Sequence, residues 1–311
     1  MLDEAAFIDI CLQSLADQDY EGVMEVLIAD GGSKDGTVER AEAWTHALPH
    51  LRVIDNPKRV QSHGLNLAAG EATGEILIRA DAHTEYATDY VLRSVDALLE
   101  SDATAVGGVQ VASGHGSFGK AVAEAMGTPL AIGPARFRHA SYATEADTVY
   151  LGALRRSDWE RLGGWRTLPS RVAEDADLYF RLRLEGARIL LEPRIKSTYS
   201  PRETVTGLWR QFFRYGIGKA DMLYVNGRWP SWRPAAPLAL VVGLLTTVVL
   251  AFTWTWWPLV ALIVLWVGAL GVAAKGRPLV IVAAAVMHLA YGLGLLRGLV
   301  RWPPSVRARV S

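Results

Sequence analysis

No charged residue occurs from Ala235 to Ala273, and this stretch constrains the fold of the chain more than any other feature. As a single helix it would be about 58 Å long, roughly twice the ~30 Å hydrocarbon core of a membrane. We therefore expect two crossings, joined by a turn. Tryptophan favours the headgroup level and proline suits the start of a helix. The expected turn contains Trp254, Trp256, Trp257 and Pro258.

A second apolar segment, between Arg277 and Arg297, is long enough for a third crossing. Basic residues concentrate in cytosolic loops. This rule puts the loops that carry Arg228, Arg233, Lys275 and Arg277 in the cytosol and the Trp-rich turn outside. A third crossing would place Arg297, Arg301, Arg307 and Arg309 outside, against the same rule. The last segment is therefore re-entrant or interfacial, or the rule fails, and the sequence leaves these alternatives open.

Charge and cysteine content limit the function classes and the compartment. The chain has 32 basic and 32 acidic residues, so there is no basic excess that would indicate nucleic-acid binding. The single cysteine, Cys11, excludes an intrachain disulfide and is typical of a reducing compartment. It lies on the apolar face of a predicted helix with Ile8, Leu12 and Leu15, so we expect a small core residue. Residues 1–20 lack the apolar segment of a signal peptide, so we expect a cytosolic N-terminal region.

Strand and helix patterns alternate in the first part of the chain. Val26 to Ala29 is an apolar run of the kind expected for a strand buried on both faces, and it ends in Asp30. Similar runs at Leu51 to Ile54 and Glu75 to Ile78 each follow a helical stretch. This alternation predicts an α/β domain with a mainly parallel sheet. Ligands bind at the carboxyl ends of such strands, where Asp30 and Asp81 both lie.

Two pairs of polar residues follow predicted strands or open a helix. Asp81 and His83 can face one point in a turn and offer oxygen and nitrogen ligands that suit Mn²⁺ or Mg²⁺; a solvated loop is the alternative. Glu174 and Asp175 open a helix, where acids are favoured by the helix dipole. A carboxylate in that position could instead deprotonate an acceptor hydroxyl. Asp30, with the glycines after it, suits either a nucleoside contact or an ordinary turn.

The segment from Leu208 to Tyr215 predicts an amphipathic helix just before the membrane region. Its aromatic face would lie at the membrane interface, and the opposite face, with Gln211 and Arg214, would be free to hold phosphates or a sugar. A plain helix packed on the domain is the alternative.

These features, in this order, resemble glycosyltransferase family 2, which has the GT-A fold. The resemblance covers roughly residues 1–220. LIADGGSKDGT resembles the family's strand-turn signature, and IRADAHTEY resembles its metal motif, with His83 in place of the usual second aspartate. YLGALRRSDWERLGGW followed by EDADLYFRL resembles the acceptor region and catalytic-base motif, and QFFRY resembles a Gln-x-x-Arg-Trp element. Within the family, RADAH, VYLGA and YGIGKA are most similar to ExoA-type glucosyltransferases of succinoglycan biosynthesis.

The resemblance implies a role for each candidate residue. Asp175 would be the general base, supported by Glu174, while Asp81 and His83 would hold Mn²⁺ or Mg²⁺ and the diphosphate. The remaining donor-binding candidates are Asp30, Arg59, Gln211 and Arg214. The implied reaction is a single displacement with inversion. UDP-glucose is the expected donor, and the expected acceptor is a polyprenyl-linked oligosaccharide in exopolysaccharide biosynthesis.

The expected organisation has four parts. Residues 1–203 form the GT-A catalytic domain, 204–230 an interfacial helix and linker, 231–300 a membrane region with two or three helices, and 301–311 a basic tail. The expected location is the cell membrane, with several crossings and a cytosolic catalytic domain.

Two departures from the family pattern shape these expectations. Tyr215 stands where processive members carry Trp, and the membrane segments are few, so we expect addition of one sugar. Asp3 and Glu4 resemble the end of the family's first strand and loop, so that strand is missing. We therefore expect that Met1 is a misassigned start. Two other functions stay open: a polyprenyl-phosphate sugar synthase, and an inactive membrane scaffold with the same fold.

Overall fold

The computed structural model describes residues 1–132, 141–229 and 231–301. The chain divides into two compact units. The first comprises Met1–Val111, Arg136–Thr167 and Glu174–Ser200, and the second comprises Ala112–Ala135, Leu168–Ala173 and Pro201–Ser311. The predicted boundaries at residues 203, 230 and 300 stay predictions. Apart from Arg301, the predicted basic tail lies outside the described residues.

The helices and strands follow one another along the chain as the α/β pattern predicts. The helices are α1 Ile8–Ala16, α2 Thr37–Glu42, α3 Gln61–Glu71, α4 Tyr90–Glu100, α5 Gly116–Met126, α6 Pro129–Ile132, α7 Arg156–Leu162, α8 Glu174–Leu184, α9 Val205–Asn226, α10 Ala235–Thr253, α11 Trp257–Ala273 and α12 Pro278–Arg301. The strands are β1 Val26–Asp30, β2 Leu51–Asp55, β3 Ile76–Ile78, β4 Thr84–Tyr86, β5 Ala105–Ala112, β6 Thr144–Glu145, β7 Tyr150–Arg155 and β8 Ile189–Tyr199.

The strands of the first unit form a mixed arrangement. β1 and β2 pair in parallel as a two-stranded sheet. A larger sheet has the order β3-β7-β5-β8-β4, with β6 paired to β8. The pairings β3–β7, β5–β7, β4–β8 and β6–β8 are antiparallel. The prediction of a mainly parallel sheet therefore holds for β1 and β2 and not for these pairings. The alternation that suggested it covers only the first three strands.

The apolar run Val26 to Ala29 is half-buried, although its composition predicts a strand buried on both faces. The difference has a simple cause. Within the described residues, β1 has a strand partner, β2, on one side only. A strand at the edge of a small sheet keeps part of its surface exposed.

Two apolar clusters cover opposite faces of the larger sheet. Along β7, Leu151 and Ala153 belong to the cluster that α1 and α4 complete. Leu154 belongs to the other cluster, together with Leu178 and Leu182 of α8. Alternate residues of a strand point to opposite faces, so β7 separates the two clusters. The first unit is thus a sheet between two layers of helices, which confirms the predicted α/β class.

Cys11 is buried in the first of these clusters, 4% exposed, as its helical spacing predicts. Burial, with the nearby charges of Asp81 and Glu4, raises the pKa of the thiol from 9.0 to about 12. The thiolate is the reactive form. A pKa three units higher leaves roughly one-thousandth of the thiolate at pH 8, so Cys11 is expected to be nearly inert in the folded protein.

The measurement for Cys11 is the rate of labelling by a maleimide at pH 8, before and after denaturation. We expect slow labelling of the native protein and full labelling in denaturant. Lys34→Cys in a Cys11→Ala background is the exposed control, because Lys34 is solvent-exposed. Equal rates at positions 11 and 34 in the folded protein would show that Cys11 is accessible.

The second unit contains the apolar helices at the end of the chain. α10 ends at Thr253 and α11 begins at Trp257, with Pro258 in its first turn, so the predicted turn is confirmed. α10 and α12 are long and apolar enough to cross a membrane, and α11, with 17 residues, is shorter. α9 begins after Thr204, whose side chain accepts a hydrogen bond from the N–H of Gly207. Such an N-terminal cap stabilises a helix start by about 1 kcal/mol.

Candidate active site

Arg79 follows directly after β3 and is held by the neighbouring strand. Its backbone N–H donates to the carbonyl of Gly152 in β7 at 3.2 Å, which extends the pairing of β3 and β7 by one step. The side chain is therefore fixed at the end of the sheet. Arg79 lies within the quoted IRADAHTEY segment, but no role was predicted for it from the sequence.

The buried guanidinium of Arg79 forms ion pairs with two predicted site residues. Nη2 lies 3.3 Å from Oδ1 of Asp81, and Nη1 lies 3.1 Å from Oε1 of Glu174. The three side chains are only 9%, 14% and 7% exposed. One arginine thus joins the segment after β3 to the first turn of α8. This contact brings the two parts of the chain together, as the motif order predicts.

Nearby charges and burial shift the pKa of Arg79 in opposite directions. Burial alone would lower the pKa of Arg79, but the charges of Asp81, Glu174 and Asp175 outweigh it and raise the pKa well above its usual range. Burial, reinforced by the charge on Asp175, also raises the pKa of Glu174 despite the opposing effect of Arg79. Arg79 therefore stays charged, and it stabilises a group of carboxylates that would otherwise repel one another.

Asp175 lies beside this ion-pair network. It is in the first turn of α8, is half-buried, and accepts a hydrogen bond from the N–H of Ala176 at 2.7 Å. Its charge acts on both Arg79 and Glu174. Asp175 and Asp81 thus lie on the same side of the unit, at the end of β3. This is the arrangement that a shared reaction site requires.

Asp81 and His83 belong to a tight turn between β3 and β4. The N–H of Thr84 donates to the carbonyl of Asp81 at 3.1 Å, and the N–H of Asp81 donates to the hydroxyl of Tyr86 at 2.8 Å. Nδ1 of His83 lies 3.6 Å from Oε1 of Glu4. The turn therefore holds a carboxylate and an imidazole two residues apart, as expected, and places Glu4 next to the imidazole.

The donor chemistry of this turn suits a divalent metal only in part. Within residues 1–132, 141–229 and 231–301, no group of three or more His, Cys, Asp or Glu side chains could hold a metal ion. Asp81 and His83 offer one oxygen donor group and one nitrogen donor. Mn²⁺ and Mg²⁺ take further oxygens from water or from substrate phosphates. The residues therefore fit a metal that binds together with a diphosphate.

Asp30 is engaged by the turn that follows β1. Its carboxylate accepts hydrogen bonds from the N–H groups of Gly32 and Ser33 at 2.8 and 2.9 Å, and from the hydroxyl of Ser33 at 2.6 Å. Burial would raise the pKa of Asp30, but these hydrogen bonds outweigh it and keep the pKa below its usual value. The carboxylate therefore shapes the Gly-rich turn, and a nucleoside contact would have to use its remaining acceptor positions.

Arg59 lies against the same turn. A Cβ built on Gly32 would be 3.1 Å from Nη2 of Arg59, and Gly32 has a φ of +82°. A side chain at this position would strain the backbone and meet the guanidinium. The structure thus brings Arg59 and Asp30 together at one turn. The charges of Asp30, Glu4 and Asp81 all act on the ammonium group of Met1, so this turn and the Asp81 turn face a common region.

Gln211 and Arg214 lie on α9, in the second unit. Arg214 is exposed, and Nε2 of Gln211 donates to the hydroxyl of Tyr215 at 3.0 Å. Leu208 and Phe212 are buried, whereas Arg210 and Arg214 are exposed, as the predicted amphipathic pattern requires. The location of this helix at the membrane interface stays a prediction. A contact of Gln211 or Arg214 with the diphosphate stays a prediction.

A hydrogen bond between Gly152 of β7 and Tyr179 of α8 fixes the position of α8 at the site. The backbone N–H of Gly152 donates to the hydroxyl of Tyr179 on α8 at 3.1 Å. The neighbouring Leu151 has a φ of 44°, which a residue with a side chain rarely adopts. Strained backbone of this kind concentrates at functional sites. This contact fixes α8 against the same residue of β7 that holds the backbone of Arg79.

Gly152→Ala is therefore expected to destabilise the protein. The new Cβ would lie 2.1 Å from the hydroxyl oxygen of Tyr179 and 2.9 Å from the carbonyl oxygen of Val106. Forced overpacking of this kind costs about 1–3 kcal/mol. The measurement is the thermal midpoint in detergent. Gly70→Ala, in α3 with nothing within 4 Å, is the control and should be neutral or stabilising. Equal midpoints for the two variants would contradict the close contact.

Sequence reasoning missed Arg79, Tyr179 and Glu4 as members of the site. One signal for Arg79 was available, because an arginine directly after an apolar strand needs a carboxylate partner if it is buried. For Tyr179 and Glu4 the partners lie in distant segments. The resemblance of Asp3 and Glu4 to a family loop marks the position of Glu4 but not its contact with His83.

A family model of known proteins matches this chain. The model described as Glycosyl transferase family 2 matches residues 1–163, more than half of the chain. The succinoglycan biosynthesis protein ExoA of Rhizobium meliloti (strain 1021) is 33% identical over 96% of this chain and 92% of its own length. The chain belongs to glycosyltransferase family 2.

Two further proteins are similar to this glycosyltransferase. A dolichyl N-acetyl-alpha-D-glucosaminyl phosphate 3-beta-D-2,3-diacetamido-2,3-dideoxy-beta-D-glucuronosyltransferase of Methanococcus voltae is 24% identical over 73% of this chain and 74% of its own. The structure of mannosyltransferase PcManGT from Pyrobaculum calidifontis, in complex with GDP-Man and Mn2+, aligns with a TM-score of 0.67. It is 21% identical and covers 94% of this chain and 84% of that one.

The comparisons confirm the predicted family and the GT-A fold. The chain is a glycosyltransferase, and its relatives include an exopolysaccharide biosynthesis protein. The candidate membrane helices near its C-terminus indicate association with a membrane.

Proposed function

We propose that this glycosyltransferase moves a sugar from a nucleotide-diphosphate sugar to a lipid-linked oligosaccharide at the cytosolic face of the cell membrane. The transfer is a single displacement with inversion at the anomeric carbon. UDP-glucose is the first donor to test. One sugar is added in each reaction, in the biosynthesis of an exopolysaccharide.

The observation that carries this proposal is the buried contact of Arg79 with both Asp81 and Glu174. It puts the acidic first turn of α8 beside the turn that would bind the diphosphate. A base and a leaving-group site must lie on the same side of a sheet for a displacement to occur between them. A pair of unconnected surface turns would not support this reaction.

Asp175 is the general base in this proposal. Its carboxylate takes the proton of the acceptor hydroxyl as the hydroxyl oxygen bonds to the anomeric carbon and the bond to the nucleoside diphosphate breaks. Glu174 and Arg79 act as positioning residues, because they fix the first turn of α8 without touching the acceptor. The half-buried side chain of Asp175 leaves it open to a substrate.

Asp81 and His83 would hold Mn²⁺ or Mg²⁺ together with the diphosphate oxygens. When bound, the metal supplies positive charge that stabilises the departing nucleoside diphosphate. Asp30 and Arg59 would bind the nucleoside side of the donor. Gln211 and Arg214 would contact the diphosphate, with the exposed guanidinium of Arg214 available for a phosphate.

The relatives support a nucleotide-diphosphate-sugar donor and a lipid-linked acceptor in general. The name of the Methanococcus voltae relative describes a sugar acceptor carried on dolichyl phosphate, and the Pyrobaculum calidifontis structure contains GDP-Man and Mn2+. The name of the Rhizobium meliloti relative describes succinoglycan biosynthesis. A lipid-linked acceptor also explains why a catalytic chain carries apolar helices.

The test is slow donor hydrolysis by the purified protein in detergent, over a panel of UDP-, GDP- and dTDP-sugars with Mn²⁺, Mg²⁺ or EDTA. We expect hydrolysis of one donor that depends on the metal. Transfer is then measured with bare polyprenyl phosphate and with a polyprenyl-diphosphate oligosaccharide. Transfer only to the oligosaccharide supports the proposal, and transfer only to bare lipid phosphate identifies a polyprenyl-phosphate sugar synthase. No hydrolysis of any donor would favour the inactive scaffold.

A further inference from the structure

α12 is as apolar as a membrane-spanning helix, but its surroundings differ from those of α10. In the most apolar 18-residue window of each helix, 6% of the residues of α10 are buried in the protein, against 44% for α12. Most residues of α10 are thus not buried in the protein, as expected of a helix that crosses a membrane. α12 is covered along one side by other parts of the second unit.

The C-terminal half of α12 packs on α9 at backbone contact. A Cβ on Gly294 would lie 2.0 Å from the carbonyl oxygen of Phe213, and a Cβ on Gly216 would lie 2.2 Å from that of Tyr291. The hydroxyl of Tyr224 donates to the carbonyl of Leu299 at 2.9 Å. Small residues let two helices approach this closely. Because α9 also carries the exposed Arg210 and Arg214, this half of α12 cannot be surrounded by hydrocarbon.

The N-terminal half of α12 is held by α5, α6 and α11. Arg277, just before α12, forms an ion pair with Glu124 of α5. Nε1–H of Trp266 donates to Nδ1 of His288 at 3.2 Å, and Nε2 of His288 lies 2.8 Å from the carbonyl oxygen of Leu130. An acceptor at Nδ1 requires the proton at Nε2, so both ring nitrogens are satisfied in the neutral form. His288 therefore ties α12 to α6 and α11.

The direction of α12 follows from where it meets the hairpin of α10 and α11. A Cβ on Gly271, in the last turn of α11, would lie 3.9 Å from Cδ1 of Ile281. A Cβ on Gly292 would lie 2.3 Å from the carbonyl oxygen of Pro237, in the first turn of α10. The first turn of α10 and the last turn of α11 form the same end of the hairpin. Ile281 and Gly292 are about 16 Å apart along α12. His288 also reaches Trp266 of α11, and Gly292 lies against Val241 of α10. α12 thus crosses the half of the hairpin that is remote from the Trp-rich turn and does not follow the hairpin to that turn.

The side of α12 that faces away from these helices is an apolar stripe. Leu279, Val282 and Val300 are 44%, 45% and 75% exposed. Residues at the same helical spacing between them are half-buried: Val286, Leu289, Leu293 and Leu296. The exposed charged residues Arg297 and Arg301 lie at the C-terminal end of the stripe.

We propose that α12 lies in the plane of the membrane surface, with its apolar stripe in an anionic lipid leaflet, and does not cross. Only α10 and α11 cross. α12 stays on the side from which the chain enters the membrane at Ala235, and Arg297 and Arg301 meet the lipid headgroups there. All basic segments that flank the apolar helices then lie on one side, which removes the conflict with the positive-inside rule. The apolar stripe of α12 contacts the same membrane lipid that surrounds α10 and α11.

The test is the labelling of single cysteines by a membrane-impermeant maleimide, in intact and in lysed spheroplasts. In a Cys11→Ala background, Ser311→Cys reports the C-terminus, Glu21→Cys reports the N-terminal unit, and Thr255→Cys reports the Trp-rich turn. We expect labelling of position 255 in intact cells and of positions 21 and 311 only after lysis. Labelling of position 311 in intact cells while position 21 stays protected would overturn the proposal.

A second measurement tests the contact of the stripe with lipid. Leu293→Cys carrying a fluorophore that senses polarity is compared with Glu21→Cys carrying the same fluorophore, in vesicles that contain anionic lipid. A blue shift at position 293 that is quenched by spin labels near the headgroups supports an in-plane helix. Quenching only by spin labels at the bilayer centre would overturn it. Neither readout requires sugar transfer, so failure of the proposed reaction would leave the result interpretable.

Discussion

Replacing Asp175 with Asn is expected to slow sugar transfer by about 10²–10⁴-fold, the usual contribution of a general base. Asn has nearly the same shape as Asp but cannot accept the acceptor proton. Binding of the donor should change little, because the contacts assigned to the donor do not include Asp175. The loss should therefore appear in kcat, with a donor KM close to that of the wild type. The measurement is steady-state transfer at saturating acceptor.

Asp158→Asn is the matched control for this variant. Asp158 also lies in the first turn of a helix, α7, where it pairs with Arg161 on the surface. This variant tests whether loss of a favourable helix-dipole interaction alone slows sugar transfer. We expect wild-type transfer from this control. Equal rates for Asp175→Asn and wild type, or unchanged polysaccharide in cells that carry only Asp175→Asn, would contradict the assigned role and favour a scaffold.

Replacing Arg79 with Met is expected to destabilise the protein by about 3–5 kcal/mol, the cost of leaving buried charges without a partner. Glu174 and Asp81 are 7% and 14% exposed, so solvent would screen their repulsion only weakly. Spread over a domain of this size, the loss corresponds to a fall of roughly 6–20 °C in the thermal midpoint. The measurement is thermal unfolding of the detergent-solubilised protein with bound detergent held constant.

A surface ion pair provides the control for Arg79. Arg52→Met removes the contact of Arg52 with Glu71, whose side chains are 51% and 48% exposed. Exposed pairs contribute at most about 1 kcal/mol. Adding Glu174→Gln to Arg79→Met should recover part of the lost stability, because it removes one unpaired charge. A midpoint for Arg79→Met no lower than that of Arg52→Met would show that the buried network does not stabilise the fold.

The sequence predicts the local elements of this fold well. Ile8 and Leu12 indicate α1 through their helical spacing, and apolar runs indicate β1, β2 and β3 to within one residue. Asp30 is the last residue of β1 as predicted, and Asp81 lies in the turn three residues after β3. These predictions succeed because each depends on neighbours within a few positions along the chain.

Contacts between distant segments could not be predicted from the sequence in the same way. Arg79 joins Asp81 to Glu174, and the second of these contacts depends on how α8 packs under the sheet. The antiparallel pairings of β7 depend on strands that carry no directional signal in their composition. α12 and α10 are both apolar enough to cross a membrane, so apolarity alone does not separate them. The arginines at the end of α12 signal a difference, but its packing on α9, α5 and α6 depends on distant segments.

Whether Asp81 and Asp175 border one donor site is tested by a structure of the protein with its nucleoside diphosphate and Mn²⁺, with the metal located by anomalous scattering. We predict a manganese peak in contact with Asp81 and the diphosphate, with Asp175 facing the same cavity. A peak bound elsewhere, or a diphosphate at a site that neither Asp81 nor the first turn of α8 borders, would contradict it.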